Sequence, residues 1–509
     1  MKTIVDENNY GNTDENYAPA LFMTVIFSLP SLIPFQYGIT PLCFIMLTIV
    51  PFIHTAFISK EFDFFDPIVV ISLIYAIGGP VAVLFQNYYE DREMFLLLSN
   101  ADTALVWTYR GFACFIFGYF FTKMYVRPQK KDIVEIETEI DHTLIFIKSL
   151  GFIVILGLII YLIVFKGIVS SFVESKWTYH QSSLLQIIGT IINLRYCFFF
   201  LYFLLNRSSR DKTLKILFYI ILFIHILFCI GGGSKLYIIS LLLCFTFAGS
   251  FTKTKITIKL FFTAVIIVGL IYITFLVIGN YRFIAKKAYT YQTETDIISS
   301  IKSQGDMFFQ AIERSIEKSA TFDEYEETTI TNNIFSRLCY IGSITQLFSI
   351  TRGNPPYEHA IETILVPLFS LLPRDIYNKP EFFHSGLFAK LLGWDFGGYS
   401  VTLIGSLYWA WGYIGILFGM FIVGIIFANI AVKSRYPSLY GARNKVLFIL
   451  LSLALINPGH IFQSITTELI RMWVFLHSLC FLITHLNILT NLGIRREYNV
   501  LKRINRGSI

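Results

Sequence analysis

The chain has 509 residues, 55% hydrophobic and 15% charged, with a mean hydropathy of +0.62, where an average soluble domain has about 45–50% apolar and about 25% charged residues. An ordinary soluble enzyme is excluded, because apolar runs of about 20 residues, each long enough to cross a hydrocarbon core, recur from Leu21 almost to the C-terminus. The net charge of +7 is informative through its distribution over the loops, since Lys and Arg resist translocation and collect on the cytoplasmic side.

The first 17 residues are polar and acidic and lack the basic segment and small-residue cleavage site of a signal peptide, so the run from Pro19 to Phe35 is expected to stay as the first span. Hydropathy places spans near 19–35, 38–58, 67–86, 104–125, 143–165, 183–205, 214–230, 236–251, 259–279, 401–432, 446–463 and 466–488. With twelve crossings, the loops after even-numbered spans, together with Lys2, hold 22 Lys and Arg. The short odd-numbered loops hold four, namely Arg92, Lys166, Lys176 and Lys235. This asymmetry places both termini in the cytoplasm. The expected fold is therefore an all-α, polytopic transmembrane protein of about twelve spans. Its parts are a cytoplasmic tail over 1–18, a transmembrane region over 19–279, a large external loop over 280–400, a second transmembrane region over 401–489 and a basic cytoplasmic tail over 490–509. Seven cysteines, six of them in apolar runs, show no paired metal spacing, so neither a disulfide framework nor a zinc site is indicated.

The 280–400 connection is too long for a simple turn, and loops of this size are usually functional. Ile297, Ile298, Ile301, Phe308, Phe309, Ile312 and Ile316 partly follow helical spacing, and Leu387, Phe388, Leu391, Leu392 and Trp394 form a second apolar cluster suited to the bilayer surface. With 11 Lys/Arg against 14 Asp/Glu, the loop is not a general polyanion-binding surface, and no nucleic-acid partner is expected.

Within this loop Arg374, Asp375, Lys379, Glu381, His384 and Asp395 gather between apolar stretches, bracketed in part by Pro373 and Pro380. Arg and Lys together suit a diphosphate, the guanidinium fork binding two oxygens and the ammonium adding a point charge. The plainer reading pairs them with Asp375 and Glu381 or with solvent. His384 is the leading proton acceptor of the cluster, with Asp375 and Glu381 as rivals; a structural role is the alternative. The turn Gly231-Gly232-Gly233-Ser234-Lys235 reads either as an anion cradle or as a tight helix-helix turn. Arg282, where the ninth span leaves the membrane, reads as an anion ligand or as a snorkelling anchor. Inside the spans, Arg110, Lys148, Arg195 and Arg471 are costly at depth. Arg471 is expected to pair with Glu468 one turn before it.

Leu371-Leu372-Pro373-Arg374, Lys379-Pro380 and Gly405-x-x-Tyr408-x-x-x-Gly412-x-x-Gly415 resemble the Wzy-type oligosaccharide repeat-unit polymerases of O-antigen and capsule synthesis, which are related to the O-antigen ligases. The span count, the large loop before the last spans and the cation-bearing Gly-rich turn fit the same pattern, although the turn carries Lys235 where an arginine is expected. The resemblance implies a GT-C-like fold and glycosyl transfer outside the cytoplasmic membrane, with no metal and no other cofactor. A glycan on undecaprenyl diphosphate moves onto a new carrier-linked repeat unit. It implies a diphosphate site at Arg282, Arg374, Lys379 and Lys235, and catalytic roles among His384, Asp375 and Glu381. Partners follow: carrier-linked oligosaccharides, membrane lipids, and a chain-length regulator and flippase of the same pathway. The alternatives are an O-antigen ligase and a lipid-linked oligosaccharide flippase or other transporter.

Overall fold

The computed structural model describes residues 17–32, 39–57, 66–85, 98–126, 133–164, 183–205, 211–232, 235–251, 277–278, 280–281, 284, 297–320, 339–372, 384–392, 401–435, 439–457 and 460–506. Among these there is no strand, and the elements are helices throughout. They are α1 (Ala18–Ser28, continued by a 3₁₀ turn, Leu29–Leu32), α2 (Thr40–Phe57), α3 (Pro67–Leu84, with a π turn at Ile77–Val81) and α4 (Asp102–Tyr125). Next come α5 (Ile133–Val164), α6 (Ser183–Leu205), α7 (Lys212–Gly232), α8 (Lys235–Phe251) and α9 (Ile297–Ala320). The rest are α10 (Tyr340–Thr351), α11 (Glu362–Leu368), α12 (His384–Leu391), α13 (Thr402–Ser434), α14 (Leu439–Ile456) and α15 (Phe462–Arg506).

Six helices among the described residues are long and apolar enough to cross a membrane, and four shorter apolar ones accompany them. Their outward faces are apolar: Ile414, Phe418, Ile422 and Ile426 form an exposed row on α13, and Phe152, Leu156 and Ile159 do so on α5. Polar side chains such as Arg195, His225 and Ser406 are buried instead. In water this arrangement would be inverted; in a bilayer it places apolar surface against lipid and polar groups against protein. The chain is an all-α, membrane-embedded protein.

The tightest crossing joins α4 to α13. A Cβ at Gly118 would lie 2.6 Å from the Phe421 carbonyl, and one at Gly424 would overlap the Phe115 carbonyl. Small residues at a helix crossing let the backbones meet, which supplies packing where lipid provides no hydrophobic drive. Around this seam Phe44 stacks on Tyr109 and Tyr75 on Phe112, all four buried.

The structure departs from the sequence-based spans in four places. Helix α5 starts at Ile133, ten residues ahead of the expected edge. Helix α14 stops at Ile456 and α15 begins at Phe462, so the span expected at 446–463 is divided between two helices. The last helix runs on to Arg506. The expected continuous span over 401–432 is interrupted at Gly412 (φ 68°, ψ −156°). Residues 259–276 and 279 of the expected ninth span lie outside the described residues.

Candidate functional site

The interruption at Gly412 organises the region. Its φ and ψ lie where essentially only glycine settles, and the chain reverses there: the Leu407 carbonyl lies 2.5 Å from a Cβ built at Gly415. In an unbroken helix positions eight apart are separated by about 12 Å along the axis. Residues 402–411 are therefore a buried half-helix folded back along the span that begins after Gly412.

A second buried helix lies beside it. Helix α10, from the region expected as an external loop, has Tyr340, Ile341, Ile344, Leu347 and Phe348 buried. It runs parallel to the half-helix: Tyr340 and Thr402 line one small cavity with Tyr75 and Asn457, Leu347 meets Gly405, and the Thr351 and Tyr408 hydroxyls are 3.0 Å apart. The Tyr340 hydroxyl donates to the Tyr75 carbonyl at 2.9 Å. At the other end the Tyr413 hydroxyl donates to the Gly353 carbonyl at 3.2 Å, Trp107 stacks on Tyr413, and the Tyr357 amide donates to the Trp409 carbonyl at 3.0 Å.

The half-helix also anchors the neighbouring elements. Phe388 of α12 is buried edge-on against Trp409, and the Ser406 hydroxyl accepts the Phe462 amide at 2.9 Å, fixing the start of α15. The 401–415 motif is thus a platform joining α10, α12 and α15.

On α15, Glu468 Oε1 accepts from Asn193 Nδ2 of α6 at 3.2 Å, and Arg471 Nη2 donates to the Ser370 carbonyl at 3.0 Å. The expected ion pair between Glu468 and Arg471 is not among the ion pairs of the described residues; each side chain reaches across the bundle instead. Ser370 belongs to the turn that ends α11; three residues later the sequence reaches Pro373-Arg374. His460, whose amide donates to the Asn457 carbonyl at 3.1 Å, turns the chain just before α15. Gln463 is 3% exposed, and neither its Oε1 nor its Nε2 has a hydrogen-bond partner among the described residues.

A separate polar group sits between α6, α7 and α8. Arg195, 2% exposed, donates from Nε to His225 Nδ1 at 3.1 Å and from Nη2 to the Tyr196 hydroxyl at 3.0 Å. Its guanidinium lies over the Tyr196, Phe228 and Tyr237 rings. Because Nδ1 accepts, Nε2 carries the ring proton, 3.5 Å from Cys229 Sγ.

Of the residues nominated by sequence, Arg282, Arg374, Asp375, Lys379, Glu381 and Asp395 lie outside the described residues. His384 and Lys235 open α12 and α8, and their side chains are not among those described. His384 stands one helical turn before Phe388, which packs on Trp409. Arg110 donates to the Ser31 carbonyl and stacks on Trp107; Lys148 pairs with Asp211 at 2.5 Å; His359 lies 3.9 Å from Glu362. Sequence reasoning did not single out Asn193, Gln463, Ser406 or His225. Their only signal was polarity inside apolar runs, which for Asn, Gln and Ser is weak. Among the described residues no group of three His, Cys, Asp or Glu converges.

No known protein family, curated protein or solved structure matches this chain.

Proposed function

We propose that this chain is a metal-independent glycosyltransferase that polymerises undecaprenyl-diphosphate-linked oligosaccharide repeat units, for O-antigen or capsular polysaccharide, on the external face of a bacterial inner membrane. The observation that carries the reading is the platform: the Gly405-to-Gly415 segment, one part of the polymerase-like pattern, is a buried half-helix with a glycine-only reversal, and it positions the start of α15. From α15, Arg471 fastens the turn that leads in sequence into the other part, Leu371 to Arg374. A lipid-linked substrate needs a site reachable from the bilayer, and a departing diphosphate needs fixed cations to hold the developing charge. Arg282, Arg374, Lys379 and Lys235 take that role. In this reading there are about twelve spans in a GT-C-like arrangement with both termini cytoplasmic. Carrier-linked oligosaccharides are the substrates, and a chain-length regulator and flippase are partners.

Glycan analysis of a strain lacking the gene tests the class. Single-repeat units at the surface are expected; carrier-linked long chains indicate a ligase, and no external glycan a flippase. Arg374→Ala, expressed at normal levels, is expected to abolish long chains and Arg374→Lys to restore part of them; full-length chains from the alanine variant overturn the diphosphate role. For topology, a reporter cysteine at 325 should react with a membrane-impermeant reagent in intact spheroplasts and one at 505 should not.

A further inference from the structure

We infer that Glu468 takes the proton of the acceptor hydroxyl, an inference that rests on the polymerase reading above. A carboxylate within a spanning helix is expensive and calls for a reason. Here its neighbours prepare it for a reaction. Asn193 Nδ2, from a different span, holds Oε1 at 3.2 Å; this fixes the plane of the carboxylate and leaves the lone pairs of Oε2 to receive a proton. Arg471, one turn further along α15, holds the Ser370 carbonyl at 3.0 Å, so the turn entering the Leu371–Arg374 motif is fastened beside Glu468 and not elsewhere on the bundle.

Gln463 gives an independent indication of a ligand. It is 3% exposed and its amide has neither donor nor acceptor satisfied among the described residues, a condition that costs about 1–3 kcal/mol for a polar group left unpaired in the interior. A pair of adjacent sugar hydroxyls, one donating and one accepting, completes a carboxamide. Gln463 and Glu468 are separated by about 7.5 Å of helix rise and by about 140° around the helix, so an oligosaccharide unit lying around this end of α15 can meet Gln463 with one sugar and Glu468 with the reacting hydroxyl of another.

In the step itself the acceptor oxygen bonds to the anomeric carbon of the growing chain. The bond from that carbon to the phosphate oxygen breaks, its electron pair leaves on the diphosphate, and the hydroxyl proton passes to Glu468. This gives Glu468 the role for which sequence order nominates His384, Asp375 and Glu381.

The test uses the full chain in lipid nanodiscs with carrier-linked repeat units purified from cells in which its gene is deleted. Glu468→Gln keeps the volume and an acceptor for Asn193 but removes the basic oxygen. Polymerisation should fall about 10²-fold while binding of the carrier-linked unit stays within about twofold. Glu468→Asp, which retains a carboxylate one methylene further back, should give an intermediate rate and a displaced acid limb of the pH–rate profile. A Glu468→Gln rate within about threefold of wild type, or a Glu468→Asp variant with wild-type rate and profile, removes Glu468 from the chemistry while leaving the polymerase reading intact. No polymer from the wild-type chain removes the polymerase reading and this inference together.

Discussion

Helix α6 carries two polar side chains, Asn193 and Arg195, two residues apart and therefore about 200° apart around the helix. They enter opposite surroundings. Arg195 faces α7 and α8, and its guanidinium meets a histidine nitrogen, the Tyr196 phenol, the Ile192 carbonyl and three aromatic faces. Asn193 faces α15, where it meets the carboxylate of Glu468 beside an arginine bonded to a loop carbonyl. The first group is sealed and made of neutral partners. The second is charged and lies where the bundle receives the loop. The difference separates two uses of polarity inside a membrane protein: a cation enclosed by neutral acceptors locks helices together, whereas a carboxylate held by a single amide is the arrangement from which Glu468 is proposed to act.

The comparison breaks most visibly at Arg195. Arg195→Met leaves His225 Nδ1 and the Tyr196 hydroxyl without their donor in an apolar interior, so thermal unfolding in detergent should register a loss of about 3 kcal/mol. Arg195→Lys should recover only a fraction, since an ammonium lacks the fork that meets both acceptors. Unchanged melting with lost activity would show that the sealed group is also a working site.

Gly412→Ala should come next, at about 2 kcal/mol, because alanine must hold φ 68°, ψ −156° and its Cβ would press on Pro355 and Tyr357. The effect should be local. Hydrogen exchange should accelerate over 402–411 and the start of α15, which the half-helix anchors through Ser406, and stay unchanged over α6 to α8. Equal acceleration in both regions would mean that the two groups unfold as one.

Arg471→Met reverses the pattern expected at Arg195. The lost bond to Ser370 should lower stability by about 1 kcal/mol, yet exchange at 369–372 should rise and polymer length should fall. Melting lowered as far as in Arg195→Met, with exchange at 369–372 unchanged, would place Arg471 with the sealed, structural group.

Most spans were legible because a 20-residue apolar run has few other fates: α2, α4, α6 and α8 begin and end within a few residues of their hydropathic edges. The platform was not. Gly412 stands inside an unbroken apolar run, Ile404 to Ala431, and hydropathy is indifferent to a chain that turns back within the same medium; only the glycine's backbone freedom records it. Helix α10 was hidden for a similar reason. YIGSITQLFSIT is only 12 residues long and mixed in polarity, so its burial depends on Tyr340 and Thr351 finding partners on α3 and α13, contacts between residues 265 and 57 positions apart. That Glu468 and Arg471 lie one helical turn apart was readable from their spacing, while their partners Asn193 and Ser370 were not, because no local pattern links them to α15.

The smallest expected effect extends the comparison to a polar pair at a helix end. Lys148 of α5 meets Asp211, just before α7, at 2.5 Å, with side chains 29% and 20% exposed. Asp211 also accepts the Leu214 amide at 3.2 Å, capping α7. The Lys148 hydrogen bond, with help from the Leu214 and Thr213 amides, holds the Asp211 carboxyl below the ordinary carboxylate range. A depressed folded-state value means that the pair stabilises the protein above the unfolded value of about 3.9 and loses its contribution as the pH falls through the folded one. Water screens the pair, so Asp211→Asn, which keeps a capping oxygen, should cost only about 0.5 kcal/mol at neutral pH. Melting of wild type and variant should converge as the pH is lowered past about 4 and also as salt is raised. A gap as wide as that for Arg195→Met, or one that ignores pH, would mean that Asp211 acts through packing of the α7 start and not through its charge.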